Sequence, residues 1–423
     1  MKKFLQLFKT PDLRKKVLSV IFLLFVFRLF ASIPIPGIDA ARLQQFLSSS
    51  QLLGFLNIFS GGGISNLSIM MLGVGPYITA TIIMQLLTIV FPQLKKIYYE
   101  EGAQGQAKFN RISRYITVPL AAIQGYGFLN LLISQKILGP LSLIQVIDNV
   151  LVITAGSIFL MWIGELISEY KLGNGVSLII FAGIISNLPQ QISAMFFNYN
   201  PAMLPTYIAF TAIALIVIAS VTFINESERK IPVSYAKQIR GMKMYGGAST
   251  YLPLKVNQAG VIPIIFAISL LLFPQFFAQA AAIISPTLSL KMSEWSSSFF
   301  NNIPIYSLVY FVLVVLFTYF YTAITFDPEE ISKNLQKSGG FIPGIRPGEA
   351  TAELITKVVH RITFWGALFL GVVAILPNIT QMATGISSLT IGGTALLIVV
   401  AVALEVMKQV ESQLTMREYE GIM

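Results

Sequence analysis

Ten apolar stretches recur along this chain, at residues 17–33, 70–91, 115–133, 150–167, 176–197, 203–224, 256–277, 303–326, 361–376 and 386–407. A helix of about 20 mainly apolar residues crosses the roughly 30 Å of hydrocarbon in a bilayer and satisfies its own backbone hydrogen bonds there. The pattern predicts an all-α, polytopic membrane protein with ten transmembrane helices. Composition agrees: 55% of residues are apolar and 11% charged, whereas a water-soluble domain carries about 25% charged residues. The fifth and ninth stretches are the weakest, the fifth because Pro189, Gln190 and Gln191 interrupt it and the ninth because its apolar core is short. The first follows a basic start, as a secretory signal would. It is longer than a usual signal core, and Ser32-Ile33-Pro34-Ile35-Pro36-Gly37 lacks a small-x-small cleavage pattern, so it reads as a span.

Lys and Arg stay preferentially on the cytoplasmic side of such spans. With the N terminus inside, 25 of the 29 Lys and Arg fall in inner segments, while only Arg42, Lys136 and Lys291 fall outside and Arg28 lies within the first span. Ten spans with both termini cytoplasmic follow. They divide into an N-terminal half, 1–197, and a C-terminal half, 198–423, on either side of the uncharged loop at 198–201. With five spans in each, the halves would be related by an inverted repeat, a geometry that places a functional path at their interface. Together they make one integral membrane domain.

The spans exclude several kinds of chemistry. Ion-coupled transporters keep carboxylates or histidines deep in the membrane, yet Glu165 and Glu405 lie near the cytoplasmic ends of their spans and Asp148 precedes the fourth. Arg28 is the one clearly internal charge, read either as paired with a polar group or a partner subunit, or as part of an ion relay. The chain has no cysteine and a single histidine, His360, which leaves no thiolate or multi-histidine metal site and makes a Ser-His triad improbable. Asp148 has no partner aspartate for intramembrane hydrolysis. No phosphate-binding motif occurs either, since Gly61-Gly62-Gly63 lacks the Lys-Ser/Thr such a loop needs. No enzyme, cofactor or metal is expected, and directed transport would take its energy from a partner.

Residues 44–94 carry no charge but contain an apolar piece, 51–59, that is too short to span. Ser60-Gly61-Gly62-Gly63 ends it. Such a segment suits a half-helix that enters the protein from the outer face and moves on a glycine hinge, or else a plain amphipathic outer loop. Helix breakers also fall inside spans: Gly73, Gly75 and Pro76 in the second, Asn174-Gly175 at the start of the fifth, and Pro263 in the seventh. They accompany branched aliphatics that could form a narrow collar gating by dewetting.

Four separated blocks carry a family resemblance: Phe59-Ser60-Gly61-Gly62 with Gly75-Pro76-Tyr77-Ile78; Lys171-Leu172-Gly173-Asn174-Gly175; Lys255-Val256-Asn257-Gln258-Ala259-Gly260-Val261-Ile262-Pro263; and Gly344-Ile345-Arg346-Pro347-Gly348. In this order they resemble the SecY family of protein-translocation channel subunits over essentially the whole chain. The resemblance implies an hourglass channel of two inverted five-helix halves, with a re-entrant plug at about 51–69 hinged on Gly61, Gly62 and Gly63. It implies a pore ring of Val74, Ile78, Val176, Ile180, Ile265 and Ile398, with Ile262 as a less certain neighbour. It also implies a gate opening sideways between spans two and seven, with polar residues Thr79, Gln85, Gln124 and Asn257. Static packing by hydrogen bonds between helices is the other reading of those four. The cytoplasmic loops at about 225–255 and 327–361 would dock a ribosome or the SecA ATPase through Arg229, Lys230, Lys237, Arg240 and Arg346. Positive-inside topology alone would also make those loops basic. The implied partners are SecE, SecG, SecA, the ribosome with its RNA and proteins, signal peptides and nascent membrane proteins, and lipid. The implied location is the bacterial plasma (inner) membrane, with the thylakoid as the alternative. The tail beyond Met407 is too short for a sizeable docking domain.

Overall fold

The computed structural model describes residues 11–35, 60, 62–64, 67–99, 101–134, 138–139, 141–197, 204–235, 238–240, 243–245, 249–384 and 388–420. Most of them are helical. The chain runs α1 (Pro11–Phe30), α2 (Gly75–Val90), α3 (Pro92–Tyr99), α4 (Gly102–Ser134), α5 (Leu143–Glu169), α6 (Gly175–Phe197) and α7 (Leu204–Glu226). Strands β1 (Glu228–Tyr235), β2 (Gln238–Arg240), β3 (Lys243–Tyr245) and β4 (Ser249–Lys255) come next. Then follow α8 (Ile262–Ile284), α9 (Pro286–Asn301), α10 (Ile303–Thr325), α11 (Pro328–Lys337), β5 (Gly340–Phe341), α12 (Glu349–Thr384) and α13 (Ser388–Glu420).

Each of the ten apolar stretches falls on one of these helices, respectively α1, α2, α4, α5, α6, α7, α8, α10, α12 and α13. By length and composition three described stretches suffice to cross a membrane, Leu143–Glu169, Ile303–Lys337 and Glu349–Thr380. The bent pair Gly75–Thr88 and Pro92–Tyr98 makes a fourth. The helices carry outward-facing apolar side chains, such as Leu18, Ile21, Phe22 and Phe25 on α1 and Leu215, Ile216 and Phe223 on α7. Soluble proteins bury such stripes, and a bilayer accepts them.

Proline sets the corners between helices. A residue preceding proline is pushed out of the helical region, and Phe91 (φ −108°, ψ 105°), Ser285 (φ −153°, ψ 117°) and Asp327 (φ −103°, ψ 103°) are each extended before Pro92, Pro286 and Pro328. Asp327 also caps α11, its carboxylate accepting from Glu329 N at 2.9 Å and Glu330 N at 3.2 Å. Pro189 does not interrupt the fifth stretch, because α6 runs through it to Phe197. The ninth stretch is part of a much longer helix, α12, which begins twelve residues before position 361, at Glu349.

The expectation of an all-α fold needs correction in the region 225–255 and at 340–341. Strands β4, β1 and β5 form an antiparallel sheet in the order β4-β1-β5, with Glu228 opposite Lys255 and Ser234 opposite Ser249, and β2 pairs with β3. The cause is local. Ile231 and Val233 alternate with outward residues, so period-2 burial replaces helical periodicity. Together with Leu254, Ile342, Ile355 and Val359 they form a separate apolar cluster that fastens the sheet to α12.

The main core gathers buried side chains from α1, α2, α5, α6, α7, α8, α10, α12 and α13. A smaller cluster, including Ile35, Ile64, Leu67, Met71, Phe128, Leu129 and Ile153, packs the segment before α2 against α4 and α5.

Candidate functional site

The six aliphatic residues expected to form a ring come from four helices. Val74 is the N-cap of α2 and Ile78 lies in its first turn, Val176 and Ile180 lie in the first two turns of α6, Ile265 lies in the first turn of α8, and Ile398 is in α13. All six belong to the main apolar core: Val74, Ile78, Ile180, Ile265 and Ile398 are buried, and Val176 and Ile262 are partly buried against them. Ile78, Val176, Ile262 and Ile265 also line one cavity. Gly75-Pro76 opens α2, Pro occupying the first turn where its missing N–H costs nothing.

Close packing of α5 on α6 brings Val176 in. Gly164 and Gly175 lack side chains where the two backbones touch. Ser168 joins them, its hydroxyl donating to Gly164 O and accepting from Gly175 N, each at 2.9 Å. Asn174 then caps α6, its Oδ1 accepting from Val176 N at 3.0 Å and Ser177 N at 3.2 Å. Sequence reasoning noticed Asn174 and Gly175 but missed Ser168, whose only signal is a small polar residue four positions after Gly164.

Two cavities lie beside this cluster. One, of about 180 Å3, is lined by Ile78, Val176 and Ile265 and by polar groups including Gln85, Glu165, Ser168 and Asn174. The other, of about 310 Å3, is lined by Asn225, Lys255, Asn257, Gln258, Glu405 and Lys408 among others. Ile262 and Tyr321 border both. An apolar cluster therefore adjoins two cavities whose linings include polar groups. Tyr321 was not singled out from the sequence, where it is one aromatic in the apolar run of α10.

The four polar residues expected at a lateral gate do not form one hydrogen-bonded group. α2 and α4 both pack against α8. Thr79 and Gln124 are buried, Gln85 faces the smaller cavity and Asn257 the larger. Asn257 Nδ2 donates to Asn225 Oδ1 at 2.7 Å and to Gly260 O at 3.2 Å, so it ties the start of α8 to the end of α7. Gln85 Oε1 and Asn257 Oδ1 are buried without a partner in the described structure.

Of the segment expected as a plug, 51–59, Gly61, Ser65 and Asn66 lie outside the described residues. The rest is fixed by backbone bonds: Ile35 N donates to Leu67 O at 3.0 Å, Ile69 N to Ile33 O at 3.1 Å, and Ser68 N to Gly63 O at 2.9 Å. Gly62 (φ +85°) and Gly63 are packed closely here, with no open space around either.

Three of the expected docking residues, Arg229, Lys230 and Arg346, are exposed on the sheet and its flanking turn. Arg229 and Lys230 are exposed on β1, and Arg240 lies on β2, while Lys237 lies outside the described residues. Arg346 is exposed in a turn held at both ends. Ile342 before it is buried in the sheet's cluster, and Ser332 Oγ donates to Gly348 O at 2.6 Å after it. Thr351 Oγ1 also donates to the arginine's own carbonyl at 2.9 Å. The backbone that carries Arg346 is thus held on both sides.

Among the described residues no cluster of His, Asp and Glu could hold a metal ion. Comparison with known proteins places the chain in a family. The SecY family model matches residues 68–407. The protein translocase subunit SecY of Streptomyces galbus is 42% identical over 443 residues, covering 99% of both chains. That of Corynebacterium glutamicum is 41% identical over 445 residues, covering 100% of both. Among solved structures, a protein-conducting channel superposes with a TM-score of 0.66 at 20% identity, covering 93% of this chain and 90% of that one. Sec61 in a canine ribosome–channel complex gives 0.62 at 19%, with the same coverage. With the fold shared at that level and sequence identity sustained end to end, this chain belongs to the SecY family.

Proposed function

We propose that the chain is the central subunit of a gated protein-conducting channel, which moves unfolded secretory polypeptides across a membrane and releases signal sequences and membrane helices sideways into lipid. The observation that supports this reading is that Val74, Ile78, Val176, Ile180, Ile265 and Ile398 all belong to the main apolar core, with two partly polar cavities beside it. Aliphatic side chains make no directional bond to a passing peptide, so they close against ions by excluding water yet give an extended chain no site to stick to. The finer architecture in this reading is ten spans in two inverted halves, 1–197 and 198–423, with both termini cytoplasmic in the bacterial plasma membrane. Residues 51–69 act as the plug. The lateral exit runs between α2 and α8, which pack on each other, and the polar residues Thr79, Gln85, Gln124 and Asn257 bias it.

No residue set for nucleotide hydrolysis was found in the sequence, so a partner drives the process: SecA or a translating ribosome, docking on Arg346 and on the basic ribbon of Arg229, Lys230, Lys237 and Arg240. Basic side chains on a ribbon suit the phosphates of ribosomal RNA. SecE and SecG complete the membrane complex.

The test is import of an unfolded secretory protein into vesicles holding this chain with SecE and SecG, with SecA and ATP added. Signal-sequence-dependent import is expected, reduced at least tenfold by Arg346→Glu. No import with SecA or with a ribosome, together with saturable ion-coupled uptake of a small solute, would replace this reading with a transporter.

A further inference from the structure

Two helix corners face a common space. α10 gives way at Phe326 to the corner that opens α11, and α2 gives way at Phe91 to α3, which is bent 113° from it. Both corners line a cavity of about 990 Å3, within the range of about 300–1,000 Å3 that small-ligand sites occupy. Its lining changes character along both helices. Thr88, Phe320 and Ala323 belong to the apolar runs of α2 and α10, whereas Lys95 and Tyr98 on α3, and Asp327 and Glu330 at the α11 corner, lie past the ends of those runs.

A chain that spans a bilayer brings the ends of its apolar runs to the boundary between hydrocarbon and headgroups. The outside of this corner agrees, since Val90 and Phe91 at the bend are 68% and 51% exposed. α3 keeps Leu94 and Ile97 half-buried and Lys95 and Lys96 exposed, the pattern of a helix that lies along a membrane surface. Tyr98, whose ring packs on Phe109 with centroids 4.7 Å apart, has the mixed character that suits this level. Among the described residues, one ammonium, that of Lys95, and two carboxylates, those of Asp327 and Glu330, line the cavity. Basic pockets take anionic headgroups. A lining of both signs with the negative in excess fits a headgroup that is itself zwitterionic.

We propose that this cavity seats one aminophospholipid of the phosphatidylethanolamine class, with its phosphate at Lys95 and its primary ammonium at Glu330. A primary ammonium carries N–H donors that a carboxylate accepts as charge-assisted hydrogen bonds, and a quaternary ammonium has none to give. Asp327 Oδ1 already accepts from Glu329 N and Glu330 N in the α11 cap, which leaves Glu330 as the chief partner of the ammonium and Asp327 as supporting charge. Phe320 and Ala323 offer the apolar surface on which the upper acyl chain rests. The site requires that the chain lie in a membrane, and it does not depend on the channel reading.

The test presents the purified full chain in mild detergent with an equimolar mixture of palmitoyl-oleoyl phosphatidylethanolamine, phosphatidylglycerol and phosphatidylcholine, and measures retained lipid by native mass spectrometry. Phosphatidylethanolamine is expected to be retained at least fivefold over either of the others. Lys95 and Glu330 are exposed, so substituting them removes no core contact, and both variants are expected to melt with the wild type. Glu330→Gln should abolish the preference for phosphatidylethanolamine over phosphatidylglycerol, because the neutral amide no longer attracts the ammonium. Lys95→Gln should lower retention of phosphatidylethanolamine at least threefold. Wild-type chain that retains phosphatidylglycerol as well as phosphatidylethanolamine, or a preference that survives Glu330→Gln, would overturn the proposal. Equal retention of phosphatidylcholine would overturn it too, since the ammonium would then make no hydrogen bond in the cavity.

Discussion

The collar and the β-ribbon are both built on buried aliphatics, yet they use them in opposite ways. In the collar, Ile180 and Ile398 belong to the main core, whose buried members come mostly from long helices. In the ribbon, Ile231, Val233 and Ile355 form a small cluster whose purpose is to hold something else outside it: the exposed Arg229, Lys230 and Arg346. One region keeps charge out, and the other displays it. On the channel reading proposed above, apolar burial is itself the working surface in the collar, whereas in the ribbon it is scaffolding for a polar one. Charge inserted into the first and volume removed from the second should therefore have separable consequences.

The largest effect is expected from Ile180→Asp. The side chain is 0% exposed, and an unpaired carboxylate there has no compensating donor supplied by its aliphatic neighbours. Burying an unpaired polar or charged group costs several kcal/mol, about 3–5 where a buried partner is missing, and it hydrates the constriction. A resting ion leak raised more than tenfold, together with a lowered melting temperature, is the expected outcome in vesicles and detergent respectively. Ile180→Leu, which conserves volume, should cost under about 1.5 kcal/mol and keep the seal. A tight seal in the aspartate variant would remove the collar from the gating mechanism.

Next in size is Ile355→Ala. Ile355 is also 0% exposed, but in the ribbon's cluster, and truncating a buried isoleucine costs about 2–5 kcal/mol. Hydrogen exchange at β1 and β4 should speed up while α10 and α5 keep their protection, and motor-driven import should fall while the resting ion seal holds. Loss of protection in both regions at once would show that ribbon and collar are one cooperative unit.

The same contrast explains what could be read from the sequence. Helices were legible because lipid-sized apolar runs have few other uses, whereas Val74, Val176 and Ile265 were singled out through the family resemblance, the helix breakers beside aliphatics only suggesting a collar. The ribbon was not legible, although Ile231-Pro232-Val233 alternates, because three or four alternating residues in a charged loop are a weak signal beside a 20-residue apolar run. Pro189 misled for the opposite reason: proline ends most helices, but here α6 continues and the Pro189 carbonyl accepts from Ser193 Oγ at 2.8 Å. The pairing of Asn257 with Asn225, and of Ser168 with Gly175, joins residues of adjoining elements through geometry that no local pattern encodes. Gln85 and Gln124 were recognised as polar residues in spans, but that Gln85 lines a cavity while Gln124 is buried was not something their sequence positions could give.

The smallest effect sharpens the boundary between the two regions. Arg114 Nε and Glu165 Oε1 lie 2.6 Å apart, joining α4 to α5 with side chains 48% and 19% exposed. Glu165 also lines the cavity bordered by Ile78 and Val176, so the pair stands where the polar approach meets the apolar collar. A pair this open to solvent is worth about 0.2–1 kcal/mol, and screening weakens it further at high salt. Arg114→Ala is accordingly expected to lower the melting temperature slightly at low ionic strength, and by still less in 1 M salt, where the Debye length falls to about 3 Å. Resting ion permeability should not change, because the seal is set by the aliphatics and not by charge at their edge. A leak in Arg114→Ala that grows at low salt would mean that the freed Glu165 carboxylate draws ions and water to the collar, and that the constriction depends on its polar rim as well as its apolar wall.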